Sequence, residues 1–169
     1  MKRVALIGGG FKPPTKGHYN MIKRADNDSL IDKVIVFIGS KARDHITANN
    51  SKEILEMYGF SNKVTFIISE TSPIGDVYRY IKSNQDQKIS WVLGYRDEED
   101  KKDMGKRIKY LKDYYNDVNI IKVKGSTNMR GTLMRASIIS NNKKQFEKFV
   151  PSHVNKSKVW GLLAVPTYL

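Results

Sequence analysis

The sequence predicts a single α/β domain built on a doubly wound parallel sheet of about five strands. Short apolar segments rich in β-branched residues alternate along the chain with segments of helical periodicity. The strand-like segments are apolar at successive positions, which is typical of parallel strands covered on both faces. A length of 169 residues is enough for one domain with a substantial core.

Five segments have the length and composition of strands: 3–8, 33–39, 63–68, 89–94 and 118–123. All five are expected to be buried on both faces. Because a helical segment separates each strand from the next, the crossovers should be right-handed and the sheet Rossmann-like. Ligands of such sheets bind beyond the carboxyl ends of the strands, so the loops that follow the strands are the candidate site.

Four helices are predicted between these strands, at residues 17–25, 51–60, 72–83 and 98–115. Ser51 is expected to open the second helix and Gly59 to close it. Ser72 followed by Pro73 is the usual start signal for the third. The mixed charges of the fourth helix predict one solvated face. Its apolar residues lie at helical spacing: Met104, Ile108, Leu111 and Tyr115.

Residues 1–150 are expected to form the α/β domain, and residues 151–169 a tail that docks on the domain or at an interface of a homo-oligomer. No apolar run approaches the roughly 20 residues needed to cross a bilayer, so no membrane partner is expected. The apolar part of the opening "MKRVALIGGG" is too brief for a signal peptide. The chain has no cysteine, which excludes disulfides and thiolate chemistry. We therefore expect a cytoplasmic protein.

The charge balance points to anionic partners. Thirty Lys and Arg against seventeen Asp and Glu give a formal net charge of +13. Nucleotides, nucleic acid and acidic lipid headgroups all fit such a balance, and charge alone does not choose among them.

The loop after the first strand, "GGGFKPPTKGHYNMI" at residues 8–22, places cations where a helix begins. The first turn of a helix carries unpaired N–H groups and a partial positive charge, so Lys12, Lys16 and His18 are unfavourable there without an anion. The loop is not a dinucleotide fingerprint, because Pro13 stands where the third glycine is needed, and it is not a Walker A loop. The pattern therefore predicts a phosphate site of another kind.

The residues of this loop suggest individual roles. Gly9 and Gly10 allow the backbone to approach a phosphate, and Thr15 is expected to cap the helix through its hydroxyl. Gly17 clears space at the helix start. His18 then lies in the first turn, with its ring available to the anion that the helix N-terminus attracts.

Residues 9–18 resemble the T/H-x-G-H signature of the nucleotidyltransferase superfamily at every fixed position, with threonine at position 15 where many members have histidine. This superfamily includes pantetheine-phosphate, nicotinamide-mononucleotide and glycerol-3-phosphate members. A second stretch, "MRGTLMRAS" at 129–137, resembles the family's I-S-x-T-x-x-R signature. Thr132 is expected to cap a helix that places Arg135 in its first turn. Arg130 stands where the family has serine, and is either an additional phosphate ligand or the sign of a different loop arrangement.

Two further positions are similar to family motifs. Gly94 and Arg96, after the fourth strand, resemble the glycine and basic residue that contact nucleotide in pantetheine-phosphate members. Asp97 either supports Arg96 or faces water. Lys41 follows the second strand, where some relatives place a lysine that steers the acceptor phosphate. His45 and His153 show no partners in the sequence and are interpreted as surface residues.

The resemblance implies a magnesium-dependent reaction in which an acceptor phosphate attacks the α-phosphorus of a nucleoside triphosphate and pyrophosphate leaves. The catalytic residues implied are His18, Thr15 and Arg135. The nucleotide-binding residues implied are Gly9, Gly10, Phe11, Gly17, Gly94, Arg96, Gly131 and Thr132. Lys12, Lys41 and Arg130 are assigned to the acceptor or its phosphate. Mg²⁺ is expected to bridge phosphate oxygens, with no protein metal ligand assigned.

The second motif looks closer to the adenylyl type, so ATP and a phosphorylated small molecule are the expected substrates. One alternative is a cytidylyltransferase that uses CTP and a polyol or sugar phosphate. Another is a non-catalytic, basic nucleic-acid-binding protein on the same fold, suggested by the net charge and by nine tyrosines. Because no RNA-binding motif is present, nucleic acid is not the expected partner.

Overall fold

Five parallel strands form one sheet in the order β3-β2-β1-β4-β5 in a computed structural model that describes residues 1–115 and 117–164. The strands are β1 Arg3–Gly9, β2 Lys33–Ile38, β3 Val64–Ile68, β4 Lys88–Tyr95 and β5 Asn119–Lys124. The chain moves outward from β1 to β3, then returns to the other side of β1 for β4 and β5. This topology confirms the predicted doubly wound α/β fold.

The central strand β1 pairs further along with one neighbour than with the other. β1 pairs with β2 as far as Gly9↔Ile38, whereas its pairing with β4 ends at Leu6↔Trp91. The carboxyl ends of β1 and β4 therefore diverge at the point where the strand order reverses. Open α/β sheets bind their ligands in a crevice at this point.

The two edge strands differ from the prediction. Alternate residues of β3 are exposed, Ile67 by 41 %, and Lys122 and Lys124 of β5 are also exposed. An edge strand has a neighbour on one side and incomplete cover from the helices, so burial on both faces holds for β1, β2 and β4 and is wrong for β3 and β5.

Helices cover both faces of the sheet: α1 Lys16–Asp26, α2 Ala48–Tyr58, α3 Pro73–Ser83, α4 Glu98–Tyr114, α5 Gly131–Ile139, α6 Lys143–Glu147 and α7 Lys156–Leu163. Side chains of α1, α2 and α5–α7 share one core with alternate residues of the central strands. Those of α3 and α4 form the second core on the opposite face. In α4, Met104 and Leu111 are buried as the helical spacing predicts.

The start of α2 differs from the prediction. The helix begins at Ala48 with Thr47 as its N-cap, so Ser51 lies inside it instead of opening it. The Ser51 hydroxyl is buried and donates to the carbonyl oxygens of Phe11 and Thr47. Gly59 ends α2 with φ of 81°, and Ser72 caps α3 before Pro73, as predicted.

The segment that follows the sheet packs on the domain through residues 143–163. The Trp160 ring lies 5.0 Å from that of Phe146. His45 and His153 do have partners, because their Nε2 atoms bond to the carbonyl oxygens of Leu163 and Tyr58. Residues 165–169, the end of the predicted tail, lie outside the described residues. In the described part of the chain, no helix is long and apolar enough to cross a membrane.

Candidate active site

A cavity of about 710 Å³ opens where β1 and β4 diverge. Gly8 and Gly9 of β1 and residues 92–95 of β4 contribute to its lining, together with the start of α1 and one side of α4. The end of β5 and the segment after it close the remaining side through Val123, Lys124, Gly125, Ser126, Asn128 and Met129. This volume is within the range of roughly 300–1,000 Å³ typical of small-molecule sites.

The loop after β1 is fixed around a buried phenylalanine. Phe11 is 3 % exposed and has φ of 52°, a left-handed conformation that strains a bulky residue. A Cβ atom on Gly9 would lie 3.1 Å from the Phe11 ring, so a larger residue there would require this buried ring to shift by a few tenths of an ångström. The ring also packs edge-on against His18, with centroids 4.9 Å apart. Ser51 holds the Phe11 carbonyl from α2. The strained loop is thus supported on three sides.

A reciprocal capping box joins Thr15 and His18 at the start of α1. The Thr15 hydroxyl accepts from the His18 N–H at 3.3 Å, and His18 Nδ1 accepts from the Thr15 N–H at 2.9 Å. Thr15 therefore caps the helix as predicted. The Lys16 N–H donates to the Phe149 carbonyl, so the first turn offers fewer free N–H groups than expected.

The capping box fixes the tautomer of His18. Because Nδ1 accepts a backbone hydrogen bond, the ring proton of the neutral imidazole is on Nε2. Burial, with the charge of Arg96 as a smaller cause, lowers the pKa of His18 to about 4. The ring that lines the cavity is accordingly neutral at pH 7, with one N–H group to donate.

This lowered pKa makes stability depend on pH. Unfolded histidine titrates near pH 6.5, so between about pH 6.5 and 4 the unfolded chain binds the additional proton. We expect the free energy of unfolding to fall as the pH drops through this window. In a His18→Gln variant this contribution should be absent, whereas superimposable pH profiles of the two proteins would show that His18 is not held neutral. Chemical denaturation at a series of pH values makes the comparison.

Lys12, which was expected to contact a phosphate, is buried and bonded to the backbone instead. Its Nζ donates to the carbonyl oxygens of Gly10 and Gly39, each at 2.6 Å, and the residue is 5 % exposed. Burial, with a smaller effect of Arg43, lowers the pKa of Lys12. The ammonium thus ties the ends of β1 and β2 together and keeps one N–H beyond these two bonds.

Arg96 lines the cavity and is oriented by α4. Its Nε and its backbone N–H both donate to Asp100 Oδ2, each at 3.0 Å. Asp97 instead caps α4 and forms an ion pair with Arg130. The side chain of Asp97 is 35 % exposed and so faces water in part, as one of the two predictions has it, whereas Asp100 supports Arg96. The backbone N–H of Asp100 and then Arg130 hold the pKa of Asp97 below its usual value. Arg130 is engaged by this pair, and its role as a phosphate ligand stays a prediction.

The second motif begins its helix two residues earlier than expected. α5 starts at Gly131 with Arg130 as its N-cap, which makes no side-chain capping bond. Thr132 is therefore the second helical residue and not the cap, and Arg135 lies in the second turn instead of the first. The Thr132 hydroxyl is used by Arg135, whose Nη2 donates to it at 3.2 Å.

Arg135 connects the two motifs. Its Nη1 donates to the Lys12 carbonyl at 2.8 Å, and its Nε lies 3.8 Å from Asp44 Oδ2. A Cβ atom on Gly17 would lie 3.4 Å from Thr15 Oγ1 and 3.5 Å from the Met129 Cβ. The loops of both motifs thus adjoin at the start of α1, as two sides of one site would.

The structure divides the predicted site residues into two groups. Those that line the cavity are Gly9, Phe11, Thr15, Gly17, His18, Gly94 and Arg96. Among the described residues, those that lie outside its lining are Gly10, Lys12, Lys41, Arg130, Gly131, Thr132 and Arg135. Lys41 is exposed on the loop after β2. Within the second group, Arg135 and Gly131 approach the backbone of the first loop at the Lys12 carbonyl.

One wall of the cavity was not predicted. Asp100, Asp103 and Arg107 of α4 contribute to the lining. Met21, which follows the first motif in α1, and Met129, which begins the second motif, contribute to it as well. The positions 100, 103 and 107 share a helix face, a pattern visible in the sequence. Nothing local in the sequence indicates that this face turns toward the first loop.

The described residues, 1–115 and 117–164, contain no group of three or more His, Asp or Glu side chains that could hold a metal ion. Asp100 and Asp103 are carboxylates in the cavity lining, and Asp100 is paired with Arg96. Such a site fits a cation that arrives with a nucleotide and is held chiefly by phosphates, as Mg²⁺ commonly is.

Comparisons with known proteins agree with this geometry. The model of a family described as cytidylyltransferase-like matches residues 6–132. A candidate nicotinate-nucleotide adenylyltransferase from Vibrio parahaemolyticus is 16 % identical with a TM-score of 0.67, and the match covers 96 % of each chain. The nicotinic acid mononucleotide adenylyltransferase of Plasmodium falciparum, solved with APC, is 13 % identical with a TM-score of 0.62 over 94 % of each chain.

A bifunctional NMN adenylyltransferase/ADP ribose pyrophosphatase from Francisella tularensis, solved with AMP and a manganese ion, is 18 % identical with a TM-score of 0.60. This match covers 95 % of the present chain and 48 % of the other. No curated protein sequence matches. At these identities the solved structures establish the shared fold, and the family match extends over most of the chain. The protein therefore belongs to the cytidylyltransferase-like family, within the nucleotidyltransferase superfamily.

Proposed function

We propose that the protein transfers a nucleotidyl group, AMP in preference to CMP, from a nucleoside triphosphate to a phosphorylated small molecule and releases pyrophosphate. The observation that carries this proposal is the neutral His18 imidazole in the cavity lining, with Nδ1 committed to the backbone and Nε2–H left to donate. Family membership supports the reaction class, and the adenylyltransferases among the solved structures support AMP as the group transferred.

The chemistry requires no nucleophile on the protein. A phosphate oxygen of the acceptor bonds to the α-phosphorus, the bond from that phosphorus to the α–β bridging oxygen breaks, and pyrophosphate leaves with the electron pair. Such reactions depend on positioning and on neutralising charge. His18 Nε2–H would donate to an α-phosphate oxygen, and Thr15 would hold the imidazole in the donating tautomer. Mg²⁺, when bound with the triphosphate, would neutralise charge on its oxygens.

The other predicted site residues contact different parts of the substrates in this proposal. Arg96, aligned by Asp100, would contact the nucleotide in the cavity. Arg135 and Thr132 would stabilise the outer phosphates beside the first loop, and Lys12 and Lys41 would attract the acceptor phosphate. A cytoplasmic location and a homo-oligomer remain predictions from the sequence.

The test is pyrophosphate release with ATP, Mg²⁺ and a panel of phosphorylated metabolites. The names of the solved relatives put nicotinate and nicotinamide mononucleotides first in this panel. Turnover that requires both ATP and one acceptor supports the proposal. If no acceptor in a broad panel, including polyol and sugar phosphates with CTP, gives pyrophosphate, the proposed transfer is wrong.

We expect ATP to bind more tightly than CTP, by about tenfold, because the larger purine buries more apolar surface against Met21 and Met129. Isothermal calorimetry with each triphosphate and Mg²⁺ measures the difference. A Met21→Ala variant should reduce the preference. Tighter binding of CTP would contradict the preference for AMP and favour a cytidylyltransferase with a polyol or sugar phosphate as its acceptor.

A further inference from the structure

Helix α4 presents an ordered group of exposed tyrosines. Tyr110 and Tyr114 are 52 % and 67 % exposed, and their ring centroids lie 5.2 Å apart. The Tyr110 ring also lies 4.9 Å from Tyr78, which packs on the buried Trp91 at 5.5 Å. Single exposed apolar side chains are ordinary, but a contiguous group of aromatic rings that extends outward from the core marks an interaction surface.

The two exposed tyrosines lie on the same face of α4 as residues that line the cavity. Asp103, Arg107, Tyr110 and Tyr114 follow one another at intervals of three or four residues and so share a face of α4. Asp103 and Arg107 contribute to the cavity lining. The rise from Arg107 to Tyr114 is about 10 Å, at 1.5 Å per residue. About three stacked nucleotides, at 3.4 Å each, span the same length.

Cations accompany the tyrosines along the helix. The acidic residues of α4 are concentrated in its first turn, Glu98–Asp100. Beyond that turn, Asp103 and Asp113 are outnumbered by exposed basic residues: Lys101, Lys102, Lys106, Arg107, Lys109 and Lys112. Lys102, Lys106 and Lys109 lie at helical spacing on the solvent side, and Lys106 is one turn before Tyr110. A row of cations therefore runs beside the row of aromatic rings.

We propose that this face of α4, comprising Lys102, Lys106, Arg107, Lys109, Tyr110 and Tyr114, is a docking strip for single-stranded nucleic acid. Bases would stack on the two tyrosines while the lysines neutralise the phosphates, the combination by which proteins hold single strands without reading sequence. An acidic protein segment would use the cations equally well but would have no base to place on the rings. The docking strip is independent of the proposed nucleotidyl transfer.

The experiment measures fluorescence anisotropy of a labelled 12-residue oligouridylate, without ATP or Mg²⁺, over a range of potassium chloride concentrations. The double variant Tyr110→Ala/Tyr114→Ala should bind at least about 30-fold more weakly, because a stacked base is lost at each of two positions. Tyr110→Phe/Tyr114→Phe keeps both rings and should bind like the parent protein. Thermal unfolding of all variants checks that these exposed substitutions leave the fold intact.

Charge is tested with a matched pair of variants. Lys106→Ala/Lys109→Ala should reduce the slope of log affinity against log salt by about 1.4, because about 0.7 is expected for each phosphate contact with a single strand. Lys144→Ala/Lys158→Ala removes the same charge from exposed positions on α6 and α7 and should leave that slope unchanged.

Three results would overturn the docking strip: no binding of the oligonucleotide, full affinity in the tyrosine-to-alanine variant, or displacement of the oligonucleotide by polyglutamate at equal charge concentration. Each of them would leave the proposed transfer untouched, since pyrophosphate release is measured separately with small acceptors. Conversely, oligonucleotide binding that depends on the rings would stand even if no acceptor were nucleotidylated.

Discussion

Replacing His18 by glutamine is expected to lower the rate of pyrophosphate release by about 10²–10³-fold at saturating ATP and Mg²⁺, with little change in ATP affinity. The third position of a capping box is ordinarily Glu or Gln, and the glutamine oxygen can accept the Thr15 N–H as His18 Nδ1 does. The variant therefore preserves the helix start and replaces the ring Nε2–H by the glutamine amide, whose N–H groups lie at a different distance and angle from an α-phosphate oxygen. Because negative charge on the phosphate oxygens increases during in-line attack, the loss should appear in turnover.

His18→Ala is the companion variant. It removes the ring and half of the capping box together, so it should lose turnover to the same degree and also some stability, on the order of 1 kcal/mol. Calorimetry with ATP separates the possible outcomes. An alanine variant that turns over at the parent rate would exclude His18 from the mechanism. A variant that no longer binds ATP would make His18 a ground-state ligand.

Replacing Arg135 by alanine is expected to weaken ATP binding by about 10- to 100-fold while changing AMP binding much less, as for a lost charge-assisted contact of roughly 1.5–3 kcal/mol. The guanidinium holds the Lys12 carbonyl and the Thr132 hydroxyl, so its removal also loosens the first loop against α5. We therefore expect the free energy of unfolding to fall by about 1–3 kcal/mol.

Arg79→Ala is the control for this prediction. Arg79 also forms an ion pair, with Asp76 of α3, but its side chain is 60 % exposed and lies outside the cavity lining. Its loss should affect neither ATP binding nor stability by more than a few tenths of a kcal/mol. Equal losses of ATP and AMP affinity in the Arg135 variant would place this arginine away from the outer phosphates. Unchanged stability would show that the contact with Lys12 contributes nothing to the fold.

The strands and the loops after them could be predicted because their signals are local. Each central strand is a short apolar run, and the first loop carries its cations, glycines and prolines within residues 8–18. The role of Thr15 as the cap could be assigned from the same stretch, since a capping bond depends on neighbours a few residues away. The topology then follows from the right-handed crossover.

The errors arose where distant contacts decide the structure. Thr47 and Ser51 are both suitable caps for α2, and Ser51 is instead drawn to the Phe11 carbonyl, forty residues away in sequence. Thr132 resembles a cap, yet its hydroxyl accepts from Arg135, which itself donates to the Lys12 carbonyl of the first loop. The wall formed by α4 could not be predicted, because the orientation of that helix depends on how Met104 and Leu111 pack against the sheet.

The central claim is that the α-phosphoryl group of the triphosphate moves to the acceptor. The most direct measurement incubates the protein and Mg²⁺ with ATP labelled with ³²P at either the α or the γ position, and with the acceptor that supports pyrophosphate release. Nucleotidyl transfer predicts that the α label appears in the acceptor product and the γ label in pyrophosphate. A γ label found in the acceptor or in orthophosphate, with the α label retained in ADP, would contradict the claim and identify phosphoryl transfer or hydrolysis instead.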